Sequence, residues 1–257
     1  LVKWMDEEME MKKDVHLSAK ELLEWVQMEP GTIGNYTIIP GPAERLQAIV
    51  EKLEDPVENF AYMDYHLHTG LYQGTKVSAI NGGLYSPDGA IMGELVCAAG
   101  TGHIVRTGSC GALREDISVG DLVIVTGVVR GEGTTPYYVP DNFSTVSDVK
   151  VAGALIEAAE TLGVNYQVGS VWTTDALLQE TKERVEKMRG LKVKAVDMVS
   201  ASLLTIAQLY EVRAGAILAV SDNLITGEIG FMDPKYYEAE TAMIEVALKA
   251  VKIMDGK

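Results

Sequence analysis

Three short stretches carry side chains able to act on an anion and a proton. Residues 103–113 read HIVRTGSCGAL, in which an apolar run ends at Arg106 and Thr107, Gly108, Ser109, Cys110 and Gly111 follow. Residues 40–45 read PGPAER, so Arg45 stands about one helical turn beyond Gly41. Residues 219–223 read AVSDN and bring in Asp222. Guanidinium groups offer planar bidentate donors, and glycine lets backbone N–H groups come close to a ligand. Arg45, Arg106, the Ser109 hydroxyl and that backbone together make an oxyanion binder. Asp222 differs, because a carboxyl accepts hydrogen bonds or, with a raised pKa, donates a proton. An oxyanion held at one end and a proton handled at the other point to phosphorolysis or a related group transfer. Each stretch alone has a plainer reading: a strand-end arginine in a structural ion pair, SDN as a turn, GSCGAL as a turn of small residues. Their joint occurrence, in order, carries the chemistry.

Strands and helices must bring these stretches together. YTIIP at 36–40 reads as a compact buried strand, and residues 41–55 read as a helix with Ala43, Leu46, Ile49, Val50 and Leu53 at helical spacing. Residues 70–81 read as a hairpin and its return strand. Just before them, Asp64, His66 and His68 would share one strand face. A polar strand face is the expected reading, since a metal needs further ligands and none is adjacent. Ser86-Pro87-Asp88 reads as a helix start, with Ser at the N-cap, Pro at the first position and Asp at the positive end, and the helix runs to about Ala99. HIVRTG is a strand, and residues 118–129 are another, apolar nearly throughout as a strand covered on both faces should be. Residues 130–146 read as a long loop. Helices are expected near 22–26, 147–162, 179–189 and 199–210, and strands over 166–175, 193–198 and 213–221. Asp233-Pro234 caps a final helix to about Met254. This alternation predicts α/β layering around a largely parallel or mixed sheet, and ligands in such folds gather at the carboxyl ends of strands. With no repeat and no linker, one domain over 16–257 is expected, behind a flexible acidic terminus at 1–15 within which Met5 offers a start.

The totals narrow the partners. The chain has 257 residues, 47% of them hydrophobic and 23% charged, a mix that fills one core. A formal net charge of -15 repels a polyanion, so nucleic acid is not expected as a partner. No apolar run reaches the roughly 20 residues that span a bilayer, and no signal peptide is evident, so no membrane contact and a cytoplasmic location are expected. Cys97 and Cys110, the two cysteines, allow neither a disulfide framework nor a CxxC motif and read as small buried hydrophobes.

PGPAER, RTGSCGAL, VGD, VDMVSASL and AVSDN fall in the order and spacing of the hexameric-type nucleoside phosphorylases, which the chain resembles from about residue 36 to its C-terminus. That family includes bacterial-type purine nucleoside phosphorylase and uridine phosphorylase, with related nucleosidases. The resemblance implies a single α/β domain with a mixed central β-sheet flanked by helices, and a homo-oligomer, a hexamer built from dimers. It also implies cleavage of a nucleoside's N-glycosidic bond by inorganic phosphate, giving free base and pentose 1-phosphate with no cofactor beyond that co-substrate and no metal. Carried over by resemblance, Gly41, Arg45, Arg106 and Ser109 bind phosphate. Cys110, Gly111 and Leu177 line the nucleoside pocket, and Val196, Asp197 and Met198 pack under ribose and base. His16 matches an N-terminal histidine that reaches a neighbouring subunit's sugar. In the purine enzymes the residue matching Asp222 protonates N7 of the leaving base. The uridine enzymes lack it and hold uracil with a Gln and an Arg, for which Gln179 and Arg184 stand at a wider spacing. Asp222 favours a purine substrate, while ASLLTIAQLYEVRAG is closer in wording to the uridine branch.

Two positions depart from the family. Val199 replaces a Glu that accepts the ribose hydroxyls, a loss of about 1.5–3 kcal/mol for a charged hydrogen bond. Met63 stands where each subunit lends its neighbour an arginine, and no arginine lies between Arg45 and Arg106. Three readings remain open: a working phosphorylase with altered sugar contacts, either favouring deoxyribose or using Asp197 in place of the missing Glu; a weakly active or nucleoside-binding relative; or a nucleosidase. On the first of these, Val199→Glu is expected to raise ribonucleoside turnover.

Overall fold

The computed structural model describes residues 15–28 and 31–256, so the expected flexible terminus lies almost wholly outside the described residues. The elements in chain order are α1 (Ala19–Trp25), β1 (Tyr36–Pro40), α2 (Ala43–Val50), β2 (Glu54–Tyr62), β3 (Tyr65–Tyr72), β4 (Thr75–Ile80), α3 (Ser86–Ala98), β5 (His103–Ala112), β6 (Leu122–Gly131), β7 (Thr145–Val146), α4 (Val149–Leu162), β8 (Tyr166–Thr174), α5 (Lys182–Gly190), β9 (Ala195–Asp197), α6 (Ser200–Leu209), β10 (Arg213–Asn223), β11 (Glu228–Ile229) and α7 (Pro234–Asp255). The strands form one mixed sheet, as expected. β5 pairs in parallel with β1 and β10 and antiparallel with β9. The run β5–β10–β6–β8–β9 then returns to β5, so that part of the sheet closes on itself.

Period-two alternation sorts the side chains. Ile38 of β1 with Ile217 and Ala219 of β10 join α2, α4 and α7 in one core. Ile39 of β1 with Ala216, Leu218 and Val220 of β10 join α1, α3 and α6 in the other. A sheet covered on both faces by helices explains why its central strands read as unbroken apolar runs.

Several boundaries differ from the sequence reading for identifiable reasons. The helix expected over 41–55 ends at Val50, and Glu54–Tyr62 form an edge strand instead. That strand is almost wholly exposed and contains Pro56, so it carries no alternating signal, and a proline costs nothing on an open edge. Asp64 falls in the β2–β3 turn, off the strand that holds His66 and His68. The strand expected to begin at Ser118 begins at Leu122, and the expected loop at 130–146 is shortened by the end of β6, a 3-10 turn at Thr135–Tyr137 and β7. Ser86 is the first residue of α3, with Tyr85 at the N-cap, and its hydroxyl donates instead to the Met198 carbonyl at 2.7 Å.

The largest correction concerns GSCGAL. These residues are not a turn: β5 stays extended through Ala112, its Gly108–Ala112 segment laddered to Leu218–Asn223 and, at its end, to Val196 and Ala195. Gly108 is there for close approach, because a Cβ would sit 2.6 Å from an Arg106 guanidinium nitrogen and 2.8 Å from Leu218. Gly108→Ala is therefore expected to cost about 1–3 kcal/mol in denaturant unfolding. Gly153→Ala, on the exposed side of α4 where a Cβ meets nothing within 4 Å, is the control and should gain about 0.5–1 kcal/mol.

Candidate active site

A cleft opens where β1, β5, β9 and β10 deliver their later residues. Gly41, Arg45, Arg106 and Ser109 line it, together with Gly83. Cys110, Gly111, Val196, Asp197 and Met198 line it too, as do Leu177, Glu180, Ser221 and Asp222. Of the twelve residues singled out from sequence, only His16 stays away: it is exposed and does not line the cleft of its own chain.

Arg106 is buried in β5, and its position is fixed from two sides. One terminal nitrogen donates to the Gly83 carbonyl at 2.9 Å, the other to Asp197 Oδ2 at 3.2 Å. Gly83 is itself held by its N–H on the Pro40 carbonyl at 3.0 Å, which stitches the β1 and β4 ends together. Asp197 is equally committed. Thr173 Oγ1 donates to its Oδ1 at 2.6 Å, while Oδ2 takes the Ser200 hydroxyl at 2.7 Å and the N–H groups of Val199 and Ser200 at 3.2 and 2.9 Å. A carboxylate at the amino end of a helix satisfies orphan N–H groups and meets the positive end of its dipole. Asp197 therefore holds Arg106 and starts α6.

Arg45 reaches the same place from α2. It donates to the Thr107 carbonyl at 3.1 Å, to Ser109 Oγ at 2.9 Å and to Tyr236 OH at 3.4 Å, and it forms an ion pair with Glu240. Tyr236 also bonds Ser109 Oγ at 2.7 Å and Glu240 at 2.8 Å. Burial lowers the pKa of Arg45 to about 10, the nearby Arg106 charge adding to the effect, yet it remains a cation at neutral pH. The plain reading of these arginines holds, since each has a carboxylate partner; each also lines the cleft. The Nε atoms of both, and Thr107 Oγ1, are buried without a protein partner.

Sequence reasoning missed Tyr236 and Glu240. They lie one helical turn apart on α7, almost two hundred residues from Arg45, and nothing local ties them to it. Glu180 was missed as well, although Gln179 and Arg184 flank it. Gln179 and Arg184 bond to each other, carbonyl to guanidinium, and line no part of the cleft; Glu180 does.

Asp222 is aimed by an irregularity. The β10–β5 register shifts between Val220 and Asp222, leaving Ser221 as the extra residue, and a bulge re-aims the side chain that follows it. The Ser221 hydroxyl donates to Asp222 Oδ1 at 2.8 Å. Burial raises the pKa of Asp222, with that hydrogen bond opposing. Burial first, and the Asp222 charge second, push Glu180 up to about 7. Cys110 is buried and burial pushes its thiol well up, so it is no nucleophile here; Cys97, also buried, is pushed up to about 12.

Val199 is fully buried and lines no part of the cleft; its side chain packs against Gly89 of α3, where even a glycine Cβ would clash. This reverses the sequence expectation for Val199→Glu. The new carboxylate would be trapped in an apolar core, and unfolding titrations should register a loss of more than about 3 kcal/mol rather than a gain in turnover. Met63, at the exposed β2–β3 turn, has a positive φ of 51° and is also absent from the cleft.

Glu180 generates a second prediction. A carboxyl whose folded pKa exceeds its unfolded value of about 4.3 keeps its proton longer when folded. Its contribution to stability then falls as pH rises from that value toward 7. Glu180→Gln should melt at a higher temperature than the parent at pH 8, with the difference fading by pH 4.5. A difference independent of pH would mean that Glu180 titrates as a free side chain.

Comparison with known proteins shows the family of the chain. Residues 35–252 match the family model described as the phosphorylase superfamily. A uridine phosphorylase from Thermococcus kodakarensis is 35% identical, the match covering 89% of this chain and 85% of that protein. A guanosine phosphorylase from Halorubrum lacusprofundi is 31% identical over 78% of this chain and 83% of its own length. A DeoD-type purine nucleoside phosphorylase from Actinobacillus pleuropneumoniae is 30% identical over 88% and 95%. With most of its length matched by the family model, and with relatives above 30% identity along most of the chain, the protein belongs to the phosphorylase superfamily.

Proposed function

We propose that this chain is a nucleoside phosphorylase, a pentosyltransferase that cleaves the N-glycosidic bond of a purine nucleoside with inorganic phosphate as co-substrate and no other cofactor. The observation that carries the reading is the convergence of Arg45, Arg106 and Ser109 with Asp222 on one cleft. Phosphate would sit against Arg45 and Arg106. There the two buried Nε donors have no protein acceptor, and buried donors are rarely left so. Asp222, its pKa raised by burial, is suited to give a proton to the leaving base, which departs more easily neutral than as an anion. Family membership supports the reaction class; the homo-oligomer, a hexamer built from dimers in which His16 reaches a neighbour's sugar, rests on the motif resemblance alone.

A second reading has its own support: the Thermococcus kodakarensis relative at 35% identity is named a uridine phosphorylase. Against it stand Asp222 in the cleft and the absence of Gln179 and Arg184 from its lining.

The test is release of free base from inosine, adenosine, guanosine, uridine and their deoxy forms, each with and without phosphate. Release that depends on phosphate, and is faster for purines, is expected; equal release without phosphate would make the protein a nucleosidase. Ser109→Ala should raise KM for phosphate about tenfold while leaving KM for the nucleoside nearly unchanged. Asp222→Asn should lower purine turnover by about 10²–10⁴ and affect uridine less.

A further inference from the structure

The β2–β3 hairpin carries a cluster that the cleft does not use. His66 and His68 alternate on one face of β3, and the register sets Glu58 of β2 directly opposite His68. Glu58 Oε1 lies 2.8 Å from His66 Nδ1 and 3.6 Å from His68 Nε2, and the three donor atoms all lie within 4.8 Å of one another. The sequence set Asp64 beside the two histidines with no further ligand adjacent; Asp64 falls in the β2–β3 turn instead, which leaves the place of a third ligand to another residue. Pairing of β3 with the unanticipated strand β2 supplies it. Among the described residues this is the one set of three His, Cys, Asp or Glu donors gathered so closely.

We propose that Glu58, His66 and His68 form a binding site for one divalent transition ion of the zinc class, which clips β2 to β3. The donor set is two imidazole nitrogens and one carboxylate oxygen, the chemistry that zinc, cobalt and nickel accept and that calcium or magnesium, which want several oxygens, do not. The spacing also suits. Ligands about 2.0–2.1 Å from a tetrahedral ion stand roughly 3.3 Å apart. The two contacts of Glu58, 2.8 and 3.6 Å, bracket that value. The side chains are part-exposed, from 21% for His68 to 45% for Glu58, so an ion can enter and a water can complete the fourth position.

The clip also has an anchorage. The His66 N–H donates to Asn81 Oδ1 at 2.7 Å, and Asn81 Nδ2 donates to the Asp64 carbonyl at 2.7 Å. Asn81 leads directly into Gly82 and Gly83, and the Gly83 carbonyl receives Arg106. An ion on Glu58, His66 and His68 therefore stiffens the hairpin whose tip is tied to the segment beneath the cleft. It takes no part in the proposed reaction, since none of its three ligands lines the cleft.

The experiment uses the full chain, stripped with a chelator and dialysed, then titrated with zinc by calorimetry and with cobalt(II) by visible absorption. One saturable ion per chain is expected, with the d–d bands of tetrahedral cobalt that zinc displaces and a higher melting temperature for the loaded protein. His66→Ala and His68→Ala should each weaken binding by about a hundredfold or more, and Glu58→Gln by at least about tenfold. All three side chains are part-exposed, so the variants should keep the parent's circular dichroism and elution volume, and an independent check is that zinc no longer raises their melting temperature. No saturable binding of zinc or cobalt by the parent would overturn the proposal. So would binding that the His66→Ala/His68→Ala double variant retains undiminished. Neither outcome depends on nucleoside cleavage.

Discussion

The contact on which the cleft depends is the buried pair between Arg106 and Asp197. Removing two charges from water costs several kcal/mol each, and such a pair survives only when its remaining donors and acceptors are also satisfied. Here Thr173, Ser200, the amino end of α6 and the Gly83 carbonyl do most of that work. These partners come from the ends of β8 and β9, the start of α6 and the loop after β4, so the pair welds the places where separate strands finish. It also explains why a chain with 15 excess negative charges spends an arginine on a glycine-rich strand: the cation neutralises a carboxylate that the fold requires, and Gly108 clears the space it occupies.

The second arginine repeats the arrangement with different partners. Arg45 is matched by Glu240, and Tyr236 bridges that pair to Ser109. The surroundings of the two arginines are thus close to neutral before any ligand arrives. Under the proposed reaction, phosphate must compete with Glu240 for Arg45, and its affinity is set by the difference between two anions rather than by bare attraction to a cation. The surroundings of Asp222 have the opposite bias. Asp222 and Glu180, two carboxyls in one partly buried space, raise the cost of a second negative charge, which keeps a proton available there.

How much of this was readable beforehand follows from how local each signal is. β1, α3, α4, α7 and the α/β alternation are written in runs of apolar residues and in caps such as Asp233-Pro234, and these emerge close to where the sequence puts them. The glycine-rich half of β5 looked like a turn because its extended form is imposed by β10 and β9, more than eighty residues away in the chain. β2 is an exposed edge with no alternation, and its absence from the sequence reading also hid Glu58 from His66 and His68. In the cleft, residues within the five quoted motifs were found, while Tyr236 and Glu240 were not, because a helix face meeting an arginine almost two hundred residues earlier leaves no trace in spacing. Val199 is instructive in the other direction. Its type was legible, but its burial against Gly89 was not, and burial reverses what a glutamate there would do.

The central claim is that Arg45 and Arg106, brought from α2 and β5, share one inorganic anion beside Ser109. Crystals soaked in phosphate, or in tungstate as its heavy and anomalously scattering analogue, address this directly. The account predicts a single tetrahedral anion within hydrogen-bonding distance of both guanidinium groups and of Ser109 Oγ, with the Glu240 carboxylate turned away from Arg45. An anion bound elsewhere, or a cleft unchanged at saturating concentration with the Arg45–Glu240 pair intact, would contradict it.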